Sequence, residues 1–334
     1  MKVLAYLAPS PLLKPKANII QSSSQFYYLN SYFDQSFYLS ISLLGRSQTS
    51  ALLSDCSPLK HLPLGVFALN RIPLFRGIFI LHSFYQIIFC LCLLLSVKVS
   101  NLFSTKRTKV YIYSRSLISS FFLSYVPFDD HIFEVHGKEN YTLLQNMQNL
   151  MISRNRLKRV YISNALRKIY NDFRSQRAIV LHDSSPFYTN TTLPSYIAKK
   201  IEKIKLEYKH MFIYSGSSGE GRGIELICEL AKLLPEISFV MLSDENIESS
   251  PKNVVWLGYL NHRLALKVIK YADFGLMPYQ DNLQMGRFQI NSLMWMSPLK
   301  LFDYMNSNVT IVSSFFPVLE EVINDGQTCL FVKD

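Results

Sequence analysis

The sequence lacks the cysteine pattern of a disulfide-stabilised or zinc-binding protein. Its five cysteines are an odd number, are scattered along the chain, and form no Cys-x-x-Cys pair. A disulfide framework or a zinc site needs paired, regularly spaced ligands. The spacing of zinc fingers and the aromatic signature of RNA-recognition motifs are absent as well. The pattern favours a reducing cytoplasm and argues against a nucleic-acid partner.

Acidic residues are few compared with basic ones. Asp and Glu number 24 against 35 Lys and Arg, which gives a formal net charge of +11 over 334 residues. This balance favours an anionic partner, which could be an acidic lipid surface, a phosphorylated substrate or nucleic acid, and charge alone does not choose among them. At this length, and with 49% hydrophobic residues, two domains with substantial cores are expected.

The segment from Gly77 to Val97 contains no charged residue. It is long enough to span a bilayer. Several polar side chains dilute it, and Arg76 and Lys98 flank it symmetrically. We favour a buried or membrane-surface helix, and we keep a membrane-spanning helix as the alternative.

Short apolar runs alternate with helix-length segments in both halves of the chain. The predicted strands of the first half are Lys2–Ala8, Lys109–Ser114, His131–Gly137, Arg159–Asn164 and Ala178–Asp183, and those of the second half are "HMFIYSG", "ISFVMLSD", "NVVWLGYL", "FGLMPY", "VTIVSS" and "CLFVKD". Continuous hydrophobicity is typical of parallel strands buried on both faces. A polar, turn-rich stretch around Asp183–Ser195 separates the halves. We therefore predict an α/β fold of two Rossmann-like, doubly wound domains facing a cleft, residues 1–190 and 191–334.

A glycine-rich stretch, "YSGSSGEGRGIELI" from Tyr214 to Ile227, follows one of these strands. Gly216 and Gly221 have the spacing of a Walker loop, but Arg222-Gly223 stands where Lys-Ser/Thr is needed. The dinucleotide fingerprint is absent too. What remains is a loop that brings Arg222 to the N-terminus of a helix starting near Gly223, a favourable place for a diphosphate. A plain glycine turn with a solvated arginine is the alternative.

A second feature favours the anion site. In "SPLKLFDYM", Ser297 and Pro298 mark a helix start, with Pro298 suited to the first helical position. Lys300 then lies in the first turn, where the helix dipole disfavours a cation unless an anion is bound nearby.

Together these segments resemble the C-terminal domain of GT-B-fold, family-4 glycosyltransferases. The resemblance runs through "YSG", "NVVWLGYL", "ADFGLMPY" and "SPLKLFDYMNSNVTIVSSFFPVLEEVINDGQTCLFV". The first half is similar as well, through "VYIYSRS", "FEVHG" and "RVYISNAL".

The resemblance implies retaining transfer of a sugar, hexosyltransferase-like, from a nucleoside diphosphate sugar, with no metal and no cofactor beyond that donor. It implies roles for a set of residues: Arg222, Lys300 and His136 as catalytic, Gly216, Gly221, Gly223, Gly258, Ser297, Pro298 and Asp303 as donor-binding, and Arg115 and Glu134 as acceptor-side candidates. The resemblance implies that Arg222 and Lys300 hold the departing diphosphate and that Asp303 contacts the donor ribose. The alternatives to these functional roles are structural: His136 would be an ordinary histidine at the end of a strand, and Arg115 would form a surface ion pair.

Two departures from the family pattern bear on activity. Trp295 stands eight positions before Asp303, where the family has a second carboxylate, which leaves the donor sugar open. The sequence ends at "CLFVKD", roughly where the family continues with helices. A non-catalytic, nucleotide-sugar-binding remnant is therefore the alternative to an enzyme, and an integral membrane protein anchored through residues 77–97 is a third reading.

The leading hypothesis is a cytoplasmic glycosyltransferase, peripheral to the inner face of the membrane, that uses a glycan or lipid-linked acceptor in assembly of a surface polysaccharide such as lipopolysaccharide. The basic balance, the "TKRTK" patch at Thr105–Lys109 and the apolar segment motivate an anionic membrane surface as a partner.

Overall fold

The chain divides into two units, Met1–Leu181 and His182–Asp334. The structure is a computed structural model, and it describes residues 1–13, 16–59, 61–69, 77–154, 156–173, 175–189, 191–244, 246–247, 249–281, 284–285 and 288–332. The division lies N-terminal to the boundary predicted at residue 190.

The first unit is a seven-stranded sheet with helices between the strands. In chain order its elements are β1 Lys2–Leu7, α1 Ala17–Asn30, β2 Gln35–Ser42, α2 Arg46–Cys56, β3 Val66–Ala68, α3 Ile78–Phe103, β4 Lys109–Ser114, α4 Leu117–Leu123, β5 Asp130–Val135, α5 Thr142–Ile152, β6 Lys158–Tyr161, α6 Asn164–Ile169 and β7 Ala178–Val180. The strand order is β3-β2-β1-β4-β5-β6-β7, and all pairs are parallel. The order reverses between β1 and β4, so the crevice typical of ligand sites in such sheets lies at their carboxyl ends.

An aromatic stack fills the centre of this sheet. Tyr6 on β1 lies between Tyr38 on β2 and Tyr113 on β4, with ring centroids 5.5 and 5.4 Å apart. Tyr6 and Tyr38 are fully buried. Burial raises the pKa of Tyr6 well above its ordinary value, and the charge of Glu134 adds to that shift while Arg115 opposes it. The Tyr6 hydroxyl therefore stays neutral and donates to Oε1 of Gln25 at 2.6 Å.

The second unit repeats the pattern with six parallel strands. Its elements are α7 Ser195–Glu207, β8 His210–Ser215, α8 Ile224–Leu233, β9 Ile237–Leu242, β10 Val254–Trp256, α9 His262–Ile269, β11 Phe274–Met277, β12 Gln284–Met285, β13 Phe288–Asn291, α10 Leu299–Ser307, β14 Thr310–Ser314, a 3-10 helix Pro317–Glu321 and β15 Cys329–Val332. The strand order is β10-β9-β8-β11-β14-β15, and β12 and β13 form a separate antiparallel pair. The order reverses between β8 and β11, which places the glycine loop after β8 at the switch point.

The structure confirms the predicted α/β class with two parallel sheets, and it contains a strand at each predicted apolar run. Sequence reasoning missed β2, β3 and the β12–β13 pair. The segment "QSFYLSIS" of β2 mixes serines into the apolar run, and Ser40 and Ser42 are nevertheless buried because their hydroxyls bond to backbone carbonyls of Ser10 and Leu12.

The apolar segment from Gly77 forms α3, which packs on β2 and beside α4. It ends at Phe103 rather than near Val97. By length and composition alone α3 could cross a membrane, but a third of its most apolar window is buried inside the protein.

Candidate functional site

The loop from Gly216 to Gly223 joins β8 to α8 at the carboxyl edge of the second sheet. Gly223 is the N-cap of α8, with φ +74°, and a Cβ there would lie 2.0 Å from the carbonyl oxygen of Pro278. Gly216 allows the loop backbone to approach the Lys300 side chain, because a Cβ at this position would lie 3.2 Å from Cε and Nζ of Lys300. The loop therefore packs directly against the lysine side chain of α10.

Lys300 is buried between two tyrosine rings. Its Nζ lies 3.7 Å from the ring centroid of Tyr214 and 5.1 Å from that of Tyr279. Only 7% of the residue is exposed, and Nζ has no hydrogen-bond partner among the described residues. Burial lowers the pKa of Lys300 well below its ordinary value, and the charge of Arg222 lowers it further. Among the described residues, the Lys300 amine is therefore buried without the anion that its charged form would require.

Arg222 supplies the second cation. Its backbone N–H donates to Gly219 O at 3.2 Å, and the Gln280 N–H donates to Gly221 O at 3.0 Å, which fixes the loop. The Nε atom of Arg222 is buried and has no partner within the described part of the chain. Burial raises the pKa of Tyr279, and the charge and hydrogen bond of Arg222 oppose that shift. In the part of the chain that the structure describes, neither cation has a carboxylate partner, and two such cations form a site for an anion.

The N-terminus of α10 adds backbone donors beside Lys300. Pro298 has an extended ψ of 121° and is the N-cap, one position before the first helical residue where the sequence predicted it. No side chain of a described residue caps this end of the helix, so N–H groups of its first turn are available to a ligand. The Ser297 Oγ accepts a hydrogen bond from the Asp183 N–H at 3.0 Å and keeps its own proton to donate.

Asp303, three residues after Lys300, belongs to a different cluster. Its Oδ1 accepts from Ser185 Oγ at 2.6 Å, and both of its oxygens lie within 3.0 Å of Nε2 of His262. The hydroxyl of Tyr188 lies 2.9 Å from Nδ1 of the same histidine. Asp303 is only 5% exposed, and these contacts hold its carboxylate in one orientation. The predicted ribose contact stays a prediction.

Gly258, one of the predicted donor-binding residues, lies in the loop between β10 and α9. It has φ +73° and open space where a Cβ would be. Asn261, three residues later, caps α9 by accepting from the Leu264 N–H at 2.9 Å. The loop therefore leaves room beside Gly258 while its far end is fixed.

The three predicted residues of the first unit come together at the end of β4 and β5. Glu134 is buried, His136 hydrogen-bonds its Oε1, and Nε of Arg115 lies 3.4 Å from the same oxygen. The other carboxylate oxygen accepts from Gln25 Nε2 at 2.7 Å and from the Tyr113 hydroxyl. Burial alone would raise the pKa of Glu134, but the charge of Arg115 and the hydrogen bonds from His136 and Tyr113 hold that pKa well below its ordinary value. Glu134 is a fixed carboxylate.

The same contacts assign the His136 ring. Nη2 of Arg115 lies 3.1 Å from Nδ1 of His136. A guanidinium can only donate, so Nδ1 accepts and the ring proton is on Nε2, which donates to Glu134. Both ring nitrogens are thus engaged, and His136 is oriented by Glu134 and Arg115 rather than exposed as a free base.

Sequence reasoning missed the residues that hold these groups in place. Tyr214 and Tyr279 flank Lys300, His262 and Ser185 hold Asp303, and Gln25 and Tyr113 hold Glu134. Tyr214 and Tyr279 end the apolar segments "FIY" and "LMPY". A tyrosine at the carboxyl end of a predicted strand was a signal that could have placed both residues near the site. For Gln25 and His262 the sequence offers none, because their partners are far away along the chain.

Comparison with known proteins gives similarity in structure only, since the chain matches no protein-family model and no curated protein. Anabaena Alr3699/HepE, solved with UDP and glucose, has a TM-score of 0.59 and 15% identity, over 99% of this chain and 85% of that one. A glycosyltransferase from Rickettsia africae ESF-5 has a TM-score of 0.58 and 12% identity, over 99% and 84%. UDP-GlcNAc 2-epimerase from Neisseria meningitidis, bound to UDP-GlcNAc, has a TM-score of 0.51 and 15% identity, over 96% and 85%.

At these identities the likeness shows the fold. The chain has the GT-B fold, with two Rossmann-like α/β units, as the sequence predicts. Its structural neighbours include glycosyltransferases and other nucleotide-sugar enzymes.

Proposed function

We propose that this chain is a retaining, hexosyltransferase-like glycosyltransferase of the family-4 type, which takes a sugar from a nucleoside diphosphate sugar. The observation that carries the proposal is the pair Arg222, half-buried, and Lys300, buried, beside the glycine loop. Nε of Arg222 and Nζ of Lys300 have no hydrogen-bond partner among the described residues. A diphosphate matches this pair in charge, and each charge-assisted hydrogen bond that the pair donates to it adds about 1.5–3 kcal/mol. UDP in the HepE structure is the kind of ligand we expect.

The proposed chemistry needs no metal, because the two cations and the N-terminus of α10 neutralise the leaving group. The bond between the anomeric carbon and the diphosphate oxygen breaks, and its electron pair stays on the diphosphate. The acceptor hydroxyl oxygen bonds the same face of the anomeric carbon, and its proton passes to the departing diphosphate. Lys300 and Arg222 act by stabilising the charge that develops on that oxygen.

The other residues are assigned around this centre. Gly258 leaves space for the nucleobase. Asp303 contacts the ribose through the lone pairs of its carboxylate that do not accept from Ser185 or His262. In the first unit, His136 contacts the transferred sugar. Arg115 and Glu134 hold the His136 ring in place and lie on the acceptor side.

The proposed acceptor is a glycan or a lipid-linked glycan in the assembly of a surface polysaccharide such as lipopolysaccharide. We place the enzyme in the cytoplasm at the inner face of the membrane. The net charge of +11 and the exposed apolar residues of α3 support this placement.

A direct test is thermal stabilisation by UDP, GDP and ADP. We expect one of the three to raise the melting temperature, and we expect Arg222→Ala and Lys300→Ala to abolish that rise. Lys252→Ala, an exposed lysine of the same unit, is the control that should keep it. If no nucleotide stabilises the protein, or if both site variants respond like the control, the diphosphate site is wrong.

The alternative is a nucleotide-sugar-binding remnant without activity. Trp295, in place of the carboxylate that the family pattern has eight positions before Asp303, favours it. The two readings separate in one assay, in which the protein that binds a nucleotide is incubated with the corresponding nucleotide sugars. Release of nucleoside diphosphate above the rate of Lys300→Ala would exclude the remnant, while binding without release would exclude the enzyme.

A further inference from the structure

Helix α3 buries several polar side chains and exposes a row of apolar ones. Its buried residues are Ile78, His82, Ser83, Gln86, Cys90 and Leu94. Three of these six are polar. A surface helix normally buries its apolar stripe and exposes its polar one, so α3 departs from an ordinary crossover helix.

The buried polar side chains are tied to the backbone of β1 and β2. Gln86 Nε2 donates to Ala8 O at 2.9 Å and to Leu39 O at 2.8 Å, and its Oε1 accepts from Ser119 Oγ at 2.6 Å. The Ile41 N–H donates to Nδ1 of His82 at 3.3 Å, which leaves the ring proton on Nε2, 3.1 Å from Ala8 O. A helix that crossed a bilayer would have to leave these partners, and each orphaned polar group would then be exposed to hydrocarbon. The contacts hold α3 on the sheet and fix which face points outward.

The outward face is an apolar stripe that runs without interruption from Ile80 to Leu95 and is interrupted by Lys98 before Leu102. Ile80, Phe84, Ile88, Leu91, Leu95 and Leu102 are all exposed and recur at intervals of helical periodicity. The most exposed of them are Leu102 at 79% and Ile80 at 72%. At 1.5 Å per residue the stripe is about 33 Å long. An exposed apolar surface of this length marks an interaction site rather than ordinary surface.

The charge around the stripe has one sign. No Asp or Glu occurs between Asp55 and Asp129 in the sequence. Lys98, Lys106 and Arg107 are exposed at and just after the C-terminal end of α3. Arg71 and Arg76 precede its N-terminal end and lie outside the described residues. Basic residues thus occur next to both ends of the apolar stripe.

This arrangement favours an anionic lipid surface over a second copy of the chain. Two α3 helices packed in parallel would bring Lys98, Lys106 and Arg107 of one copy against the same residues of the other, and the repulsion would oppose the contact. A bilayer of anionic lipids offers hydrocarbon to the stripe and negative headgroups to the lysines and arginines.

We propose that α3 lies in the plane of an anionic membrane, with the stripe from Ile80 to Leu102 inserted among the acyl chains and Lys98, Lys106 and Arg107 on the headgroups. The helix remains attached to β1 and β2 and does not span the bilayer. This deepens the membrane part of the proposed function and rests on it, but it is independent of the donor site.

The test is flotation of the purified full chain with vesicles of phosphatidylcholine alone or of phosphatidylcholine mixed with phosphatidylglycerol. We expect binding to the mixed vesicles, and we expect Ile80→Glu/Leu95→Glu to weaken it at least about tenfold. Lys106→Gln/Arg107→Gln should weaken it about fivefold for each charge removed. Matched controls are Leu206→Glu, an 88% exposed leucine of the second unit, and Lys199→Gln/Lys200→Gln, exposed lysines of the same unit.

The outcomes separate the possibilities. Failure of the wild type to float with mixed vesicles, or equal flotation of the stripe variant and wild type, would overturn the proposal. A wild-type dimer that becomes monomeric in Ile80→Glu/Leu95→Glu, without any change in flotation, would assign the stripe to a second copy instead. Melting temperature and nucleotide stabilisation, measured on the same samples, report folding and the donor site separately, so a loss confined to flotation supports the membrane surface alone.

Discussion

Lys300 is a residue whose position makes little sense for stability alone. Its amine is buried between Tyr214 and Tyr279, and the neighbouring charge is that of Arg222 rather than a carboxylate. Burial of a cation without a partner costs free energy of folding. A residue that lowers stability in the free protein is expected where a ligand supplies the missing charge.

We therefore predict opposite effects of Lys300→Met on stability and on binding. Methionine fills similar space without a charge, so the free energy of unfolding at pH 7 should rise by about 1–3 kcal/mol, while the affinity for the nucleoside diphosphate should fall at least about tenfold. Urea denaturation and calorimetric titration measure the two quantities, and Lys252→Met should change neither. A destabilised variant that still binds nucleotide would contradict the prediction.

The stability difference should depend on pH. The pKa of Lys300 in the folded protein is well below the ordinary value of 10.5, because of burial and then Arg222. Between the two values the unfolded chain binds more protons, so the stability of the wild type rises with pH in that window. We expect the advantage of Lys300→Met to be largest at low pH and to shrink as the pH approaches 10.5. Urea midpoints at several pH values check this, and an advantage that is constant with pH would refute it.

Gly223 allows a prediction with a closely matched control. Alanine there would adopt a left-handed φ of +74° and overlap Pro278 O, whereas alanine at Gly326 would have φ +70° and open space. The conformational cost, about 1–2 kcal/mol, is common to both, and the overlap adds to it only at Gly223. We expect Gly223→Ala to lower the free energy of unfolding by about 2 kcal/mol or more beyond Gly326→Ala. Equal losses would show that the loop can move away from Pro278.

Among the helices and strands, the sequence predicts what depends on local pattern and does not predict what depends on long-range contacts. The apolar runs of β1, β4 and β8 are local, and they predict their strands and the class of the fold. The burial direction of α3 is not set by local pattern, because apolar residues occur on both its inward and its outward face. Gln86 fixes the inward face through its hydrogen bonds to Ala8 O and Leu39 O. Arg222 and Lys300 were predicted because the glycine loop and the start of α10 are local signals. His262 and Gln25 were not predicted, because their partners are far away along the chain.

The attachment of α3 can be tested at Gln86. Methionine at this position would remove three hydrogen bonds, those that Gln86 makes with Ala8 O, Leu39 O and Ser119 Oγ. A buried hydrogen bond contributes about 0.5–1.5 kcal/mol, so we expect Gln86→Met to lower the free energy of unfolding by about 1.5–4 kcal/mol. Gln35→Met, an exposed position on β2, is the control. A near-neutral Gln86→Met would mean that α3 is not held through these bonds.

At the scale of the whole molecule, the two units carry different parts of the proposed reaction. The diphosphate cations lie in the second unit, and the Glu134 cluster lies in the first. We therefore predict that a nucleoside diphosphate without its sugar slows amide hydrogen exchange in the second unit, in the glycine loop, β8 and the first turn of α10. At about 100 times the dissociation constant, binding stabilises by about 2.7 kcal/mol, so amides that exchange only when this unit unfolds should slow about a hundredfold.

Amides of β4 and β5 should respond much less to the nucleotide, because none of its predicted contacts lies in the first unit. The intact nucleotide sugar is expected to extend protection to the segment around His136, which the sugar contacts in the proposed function. Comparison of the two ligands on one sample thus separates donor recognition from sugar recognition. Protection by the nucleotide that is confined to β4 and β5 would place the diphosphate in the first unit and refute the assignment of Arg222 and Lys300.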